Sequence, residues 1–207
     1  MENMMTSNPN TLELLKTLRE RTGCGVMECR KALDAVGQDF NKALADLNEK
    51  AAVRAKKQAD RDAPEGVIEM YSHGDGRIGV MLEINTETDF GAGSEPFRKL
   101  AHEIALQVAA VNPLYVRDED IPAAVLAELA AEAEQSARAA GKPEGVIVRI
   151  VEGVLHKYKE TNVLMRQTYI RDEAVTVAQL VEQTAGQIRE NVVIRRFLRW
   201  EITPGEE

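Results

Sequence analysis

The sequence predicts an α+β fold, and three observations carry that prediction. Apolar residues recur at helical spacing over most of the 207-residue chain. Two strand-like runs, Val67 to His73 and Ile78 to Ile84, the second of them alternating, flank Gly74-Asp75-Gly76, a three-residue turn in which glycine supplies positive φ. A third run, Val192 to Ile202, closes the chain and needs a partner strand, and the hairpin is the available one. Hydrophobic residues make up 44% of the chain but aromatics only 4%, so helices rich in Ala, Leu and Val must supply much of the core.

Residues 1–10 are polar, carry no charged-then-apolar signal pattern and read as a flexible leader. Asn10 can cap a first helix, with Glu13 behind it and Leu12, Leu15 and Leu18 on one side. The glycine turn Thr22-Gly23-Cys24-Gly25 stops that helix. A second carries Val26, Cys29, Leu33 and Val36 and ends at Gly37. Asp39 can cap a third, with Ala43, Leu44, Leu47 and Ala51 inside. Helices this short must bury their stripes against one another, which makes residues 11–50 a three-helix module. The basic stretch that follows, residues 51–65 with Lys50 at its edge and Arg54, Lys56, Lys57 and Arg61 within it, lacks a sustained apolar face. It reads as a solvated helical linker in preference to a nucleic-acid arm.

Residues 66–203 form an α+β core. In its hairpin Ile78, Val80, Leu82 and Ile84 alternate with Gly79, Met81 and Glu83, so one face is buried. A loop containing Phe90 follows directly. Ser94 and Pro96 can open the next helix, whose inner stripe is Phe97, Leu100, Ile104, Val108 and Val111 and which Asn112-Pro113 ends. An Ala/Glu-rich helix from Pro122 to Ala140 turns at Gly141-Lys142-Pro143. A returning helix with Ile147, Val151, Val154 and Tyr158 gives an antiparallel pair. Thr176 and Gln179 form a capping box for a last helix with Val177, Leu180, Val181, Thr184 and Ile188. The closing strand then places Val192, Ile194, Leu198 and Trp200 on one face, interrupted by Arg196. The result is a small antiparallel sheet covered by helices, and residues 204–207 read as a flexible tail.

A formal charge of −8 disfavours phosphate backbones, so direct nucleic-acid binding is not expected. No apolar run is long enough to span a bilayer. Cys24 and Cys29 give no disulfide framework, which points to the cytoplasm. Glu83, Glu87 and Asp89 could hold a hard cation, but they lack calcium-loop spacing and read better as solvated loop acids. Cys24 and Cys29 have no second metal-binding pair, and His73, His102 and His156 make no nucleophilic arrangement. With no phosphate-binding loop either, the chain reads as an interaction protein without a catalytic or metal site. Phe90 leaves two readings open: a satellite-core aromatic packed near Phe97, or a side chain held out for a partner.

Three motifs narrow the choice. Asn85-Thr86-Glu87-Thr88-Asp89-Phe90 resembles a signature of the elongation factor Ts family. Leu18-Arg19-Glu20-Arg21-Thr22-Gly23-Cys24-Gly25-Val26-Met27-Glu28-Cys29-Arg30-Lys31-Ala32-Leu33 resembles the family's first signature, in its ubiquitin-associated-like (UBA-like) three-helix module. Glu190-Asn191-Val192-Val193-Ile194-Arg195-Arg196-Phe197 resembles its closing strand. The motifs stand in the family's order across nearly the whole chain, and the length is similar to the short form, with one dimerisation-type core half.

The resemblance implies a guanine-nucleotide exchange factor for elongation factor Tu, with no covalent chemistry and no cofactor of its own. It would bind the GDP-bound and the nucleotide-free partner. In the family an Asp-Phe pair enters a groove beside the partner's magnesium and phosphate site. By that likeness Phe90 is the apolar wedge, Asp89 the polar contact that orients it, and Thr88 and Gly91 shape the loop. Thr22, Gly23, Cys24, Gly25 and Val26 would dock on the partner's nucleotide-binding domain. Short forms tend to be symmetric dimers, so a homodimer is a further expectation. Two positions depart from the family pattern. Gly91 stands where Val is usual, which should free the loop and remove an apolar contact. Arg189 stands where Gly is usual before Glu-Asn.

Overall fold

The structure, a computed structural model, describes residues 9–202. The expected leader lies outside the described residues up to residue 8, and so does the expected tail. The first helix, α1, is Pro9–Thr22, so Asn10 falls inside it and not at its cap. Next come α2 (Val26–Ala35), α3 (Phe40–Gln58), β1 (Glu65–His73) and β2 (Ile78–Thr86). These are followed by α4 (Asp89–Gly93), α5 (Glu95–Val111), α6 (Ala123–Ala139) and α7 (Glu144–Asn162). The chain ends with β3 (Thr168–Tyr169), β4 (Asp172–Thr176), α8 (Val177–Ile188) and β5 (Val192–Glu201). Among the described residues this is a mixed α+β fold, with a three-stranded sheet in the order β1-β2-β5 and a two-stranded pair β3-β4. The tight turn makes β1 and β2 antiparallel. Ile202 N–H bonds Arg77 O at 2.9 Å while Arg196, earlier in β5, pairs with Glu83, later in β2, so β5 also runs antiparallel to its neighbour.

The chain divides into two compact units. The first holds residues up to Val67, Ile84–Leu100 and Gln179–Val193; the second holds Ile68–Glu83, Ala101–Ala178 and the residues from Ile194.

In the first unit, α1, α2 and α3 close over Leu18, Cys29, Ala32, Leu33, Ala43 and Leu47. Asp39 caps α3 by accepting from Lys42 N–H at 3.1 Å. The helix then runs unbroken through Gln58, so much of the basic stretch is helical. Lys50 pairs with Asp46 and Arg54 with Glu28. Helix α8 lies close along α3: a Cβ on Gly186 would stand 3.1 Å from that of Ala51, and Gln183 donates to Asn48 at 3.2 Å.

In the second unit α6 and α7 pack as an antiparallel pair. Gly141, at φ +67°, turns the chain between them, and Lys142 N–H bonds back to Ala137 O at 3.1 Å. The β3-β4 pair was not expected from the sequence. Its strands are too short for an alternation to register, and its position is held by a buried side chain. The Gln107 amide donates to Thr168 O at 3.1 Å and accepts from Ile170 N–H at 3.0 Å.

The closing strand corrects a further expectation. Val192 and Ile194 are buried, but Leu198 and Trp200 are exposed, Trp200 to 73%. Glu83 and Arg196 touch across β2 and β5, so Met81, Leu198 and Trp200, which alternate with them, share that open face. On β1, Ile68 and Met70 are exposed while Val67, Glu69 and Tyr71 are half-buried. Among the described residues the second unit thus leaves an apolar sheet face uncovered.

Candidate partner-binding site

The site grows from the end of β2. Ile84 and Thr86 are buried and fix the strand's exit. The sequence read the next residues as a loop, but Asp89–Gly93 is a five-residue helix, α4. Thr88 starts it: its hydroxyl oxygen accepts from Gly91 N–H at 3.0 Å, an N-cap bond that the loop reading overlooked. Ser94 closes it, with its N–H and hydroxyl both bonding Gly91 O.

On that helix Phe90 is 85% exposed and Asp89 beside it is also exposed. The reading in which Phe90 packs into its own core near Phe97 is therefore excluded. Phe97 itself is 0% exposed and does occupy the core. Gly91 also differs from expectation. It is buried and helical, and a Cβ there would stand 2.1 Å from Glu190 Oε2. The missing side chain admits a carboxylate where the sequence suggested a freer loop.

Glu190 is the principal residue that sequence reasoning did not single out. Its Oε2 accepts from Thr86 Oγ1 at 2.9 Å and from Thr88 N–H at 3.0 Å, and its Oε1 accepts from Thr88 Oγ1 at 2.6 Å. Burial works to raise its pKa, but the hydrogen bonds from Thr88 and Thr86 outweigh burial and hold the group below the ordinary glutamate value. The next residue repeats the lacing. Asn191 N–H bonds Glu87 Oε1 at 2.7 Å, and its side chain bonds Ala59 O at 3.1 Å and Arg61 O at 2.8 Å. Glu87 also faces Arg61 at 3.3 Å. Among the described residues no group of three acidic, histidine or cysteine side chains could hold a metal, so Glu83, Glu87 and Asp89 do not assemble as a cation site.

The α1–α2 turn separates its residues into two kinds. Thr22 and Cys24 are buried: the Thr22 hydroxyl donates to Leu18 O at 2.7 Å and accepts from Cys24 N–H at 3.3 Å. Gly23 holds φ +65°, and a Cβ there would meet Gln187 of α8 at 2.2 Å. Gly25 and Val26 face solvent, as does Met27, a residue the sequence reading did not select. Burial raises the pKa of both the Cys24 and the Cys29 thiol, and both cysteines are free. They behave as small core hydrophobes.

An exposed aromatic on a capped helix, with no metal cluster among the described residues, is the geometry of a binding element. Comparison with known proteins gives it a family. The family model described as Elongation factor TS matches residues 5–204. The chain belongs to the elongation factor Ts family. It is 44% identical to the Elongation factor Ts of Coprothermobacter proteolyticus over 90% of this chain and 95% of that protein. It is 45% identical to that of a Thermoanaerobacter species, over 94% and 96%. It is 46% identical to that of Thermotoga petrophila, over 95% and 98%. Membership in the elongation factor Ts family makes the chain a translation elongation factor that promotes nucleotide exchange, not a catalyst of covalent chemistry. Among the described residues no helix is long and apolar enough to cross a membrane.

Proposed function

We propose that this chain exchanges guanine nucleotide on elongation factor Tu, and that α4 is the element that does it. The observation that supports this reading is the exposure of Phe90 on a helix whose cap, backbone and neighbouring strand are all tied down. A rigid mount matters because an aromatic presented in its bound conformation loses little entropy on docking. Phe90 enters a groove beside the partner's magnesium and phosphate site, and Asp89 orients it with a polar contact. Thr88 and Gly91 hold the helix to its base. Disturbing the partner's magnesium and phosphate contacts weakens GDP. Reciprocity then requires bound nucleotide to weaken the grip of the exchange factor by the same factor, so GTP entry releases it.

The α1–α2 turn supplies a second contact on the partner's nucleotide-binding domain. Gly25 and Val26, with Met27 beside them, form its surface, while Thr22, Gly23 and Cys24 shape the turn from beneath. A homodimer through the open sheet face is the further assembly we propose. Its support is the row of exposed apolar residues Ile68, Met70, Met81, Leu198 and Trp200.

Stopped-flow release of a fluorescent GDP from elongation factor Tu, with and without this protein, tests the central reading. Acceleration by the wild-type protein and its loss in Phe90→Ala are the expected results. Full acceleration by Phe90→Ala would remove Phe90 from the mechanism.

A further inference from the structure

We propose that Glu190 is the positioning residue for the Phe90 helix, acting through the space that Gly91 leaves empty. The proposal rests on the reading of α4 as the exchange element. The carboxylate reaches three donors on two residues: Thr86 Oγ1, Thr88 N–H and Thr88 Oγ1. Thr88 Oγ1 gives its proton to Glu190 and so turns its lone pairs toward Gly91 N–H. The carboxylate therefore orients the hydroxyl that caps α4. Glu190→Ala removes every one of these acceptors, whereas the amide of Glu190→Gln keeps one acceptor oxygen and can donate to the Thr88 hydroxyl, so alanine is the informative substitution.

Gly91 is the other half of the device. Its φ is not in the left-handed region, so an alanine would suit the helix better in isolation. The nearest obstacle is the carboxylate: the three nearest atoms to a Cβ are Glu190 Oε2, Cδ and Oε1, at 2.1, 2.6 and 2.9 Å. A methyl group at Gly91 expels the carboxylate from its donors. The two residues therefore act as a pair, and their substitutions must not add.

Two measurements test this on the full-length protein. The first is amide hydrogen exchange at Thr88 and Gly91, compared between wild type and Glu190→Ala. The second is GDP release from elongation factor Tu, driven by Glu190→Ala, Gly91→Ala, the double variant and Phe90→Ala. We expect Glu190→Ala to lose protection at both amides. Each single Glu190 or Gly91 substitution should slow exchange about tenfold, the effect of losing roughly 1.4 kcal/mol of oriented contact. The double variant should be no slower than Glu190→Ala. Unchanged protection in Glu190→Ala, or losses that add in the double variant, would overturn the pairing. If protection is lost but GDP release stays fast while Phe90→Ala is slow, the positioning role falls and the reading of α4 stands. If Phe90→Ala is itself fast, that reading has failed and this proposal goes with it.

Discussion

Phe90 and Phe97 sit on adjacent helices at opposite extremes of exposure, 85% and 0%. The first contributes little to the fold and the second is part of it, so alanine substitutions should separate binding from stability. Phe90→Ala should change unfolding free energy by no more than about 0.5 kcal/mol, as for a surface site. If its ring is an interface anchor, exchange should fall by a factor on the order of 30, from about 2 kcal/mol of lost contact. Phe97→Ala should cost about 3–5 kcal/mol by opening a cavity. Urea titrations of both variants, set beside GDP-release rates, check the pair. A Phe90→Ala protein that unfolds as early as Phe97→Ala would contradict the assignment.

Arg189 holds φ +61° just after α8, and its N–H bonds Ala185 O at 2.9 Å. This is the left-handed position past a helix end, where glycine carries no Cβ penalty. The arginine side chain is exposed, so its removal disturbs no core. Arg189→Gly should therefore raise stability by about 1 kcal/mol. The thermal midpoint measures it, and a lower midpoint would mean that the side chain stabilises the fold by more than the backbone strain costs.

Much of this fold was legible because its helices announce themselves locally. Leu18, Cys29, Leu33 and Leu47 recur at helical spacing and do form one core cluster. The Gly141 turn predicted the α6–α7 pair correctly for the same reason. What escaped was held by contacts distant in sequence. Glu190 and Thr88 meet across 102 positions, and no local pattern of charge or polarity marks such a pairing. Helix α4 was missed because it is too short for a hydrophobic period and is set by one capping hydroxyl. On the closing strand, alternation identified Leu198 and Trp200 as one set but could not say that none of the described residues covers them.

Gln107 is fully buried on α5 and serves both Thr168 O and Ile170 N–H. Gln107→Leu keeps the volume but removes the partners of Thr168 O and Ile170 N–H, two part-buried backbone groups. Losing the two bonds should cost about 1–3 kcal/mol in all. Amide exchange at Ile170 should rise with it. Wild-type protection at Ile170 in the variant would show that another group supplies the acceptor.

The exposed sheet face gives the homodimer its own test. Trp200 is the chain's single tryptophan and lies on that face. If a second copy covers it, its emission should shift to the red as the protein is diluted through the dissociation constant. Met70, 74% exposed on the edge strand, can be changed to Glu without entering the core. Met70→Glu should give monomers in sedimentation velocity and red-shifted emission at every concentration. A wild-type protein that sediments as a monomer at high concentration would remove the dimer.

Asp118 contributes to the acid response of the second unit. Arg166 grips its carboxylate with two hydrogen bonds of 2.6 Å, and Lys159 stands at 3.1 Å. The Arg166 hydrogen bonds, with Lys159 in support, hold its pKa below the ordinary aspartate value despite partial burial. In the unfolded chain the group takes up its proton near the ordinary value of about 4, whereas the folded protein takes it up only at lower pH. Between those points the unfolded state binds more protons. The stabilisation is therefore complete above the ordinary value and is lost as pH falls through the folded one. Denaturant midpoints measured from neutral pH down into this window should drop more steeply for wild type than for Asp118→Asn, whose neutral amide has no such proton to gain. Parallel curves for the two proteins would assign the acid sensitivity to other carboxylates.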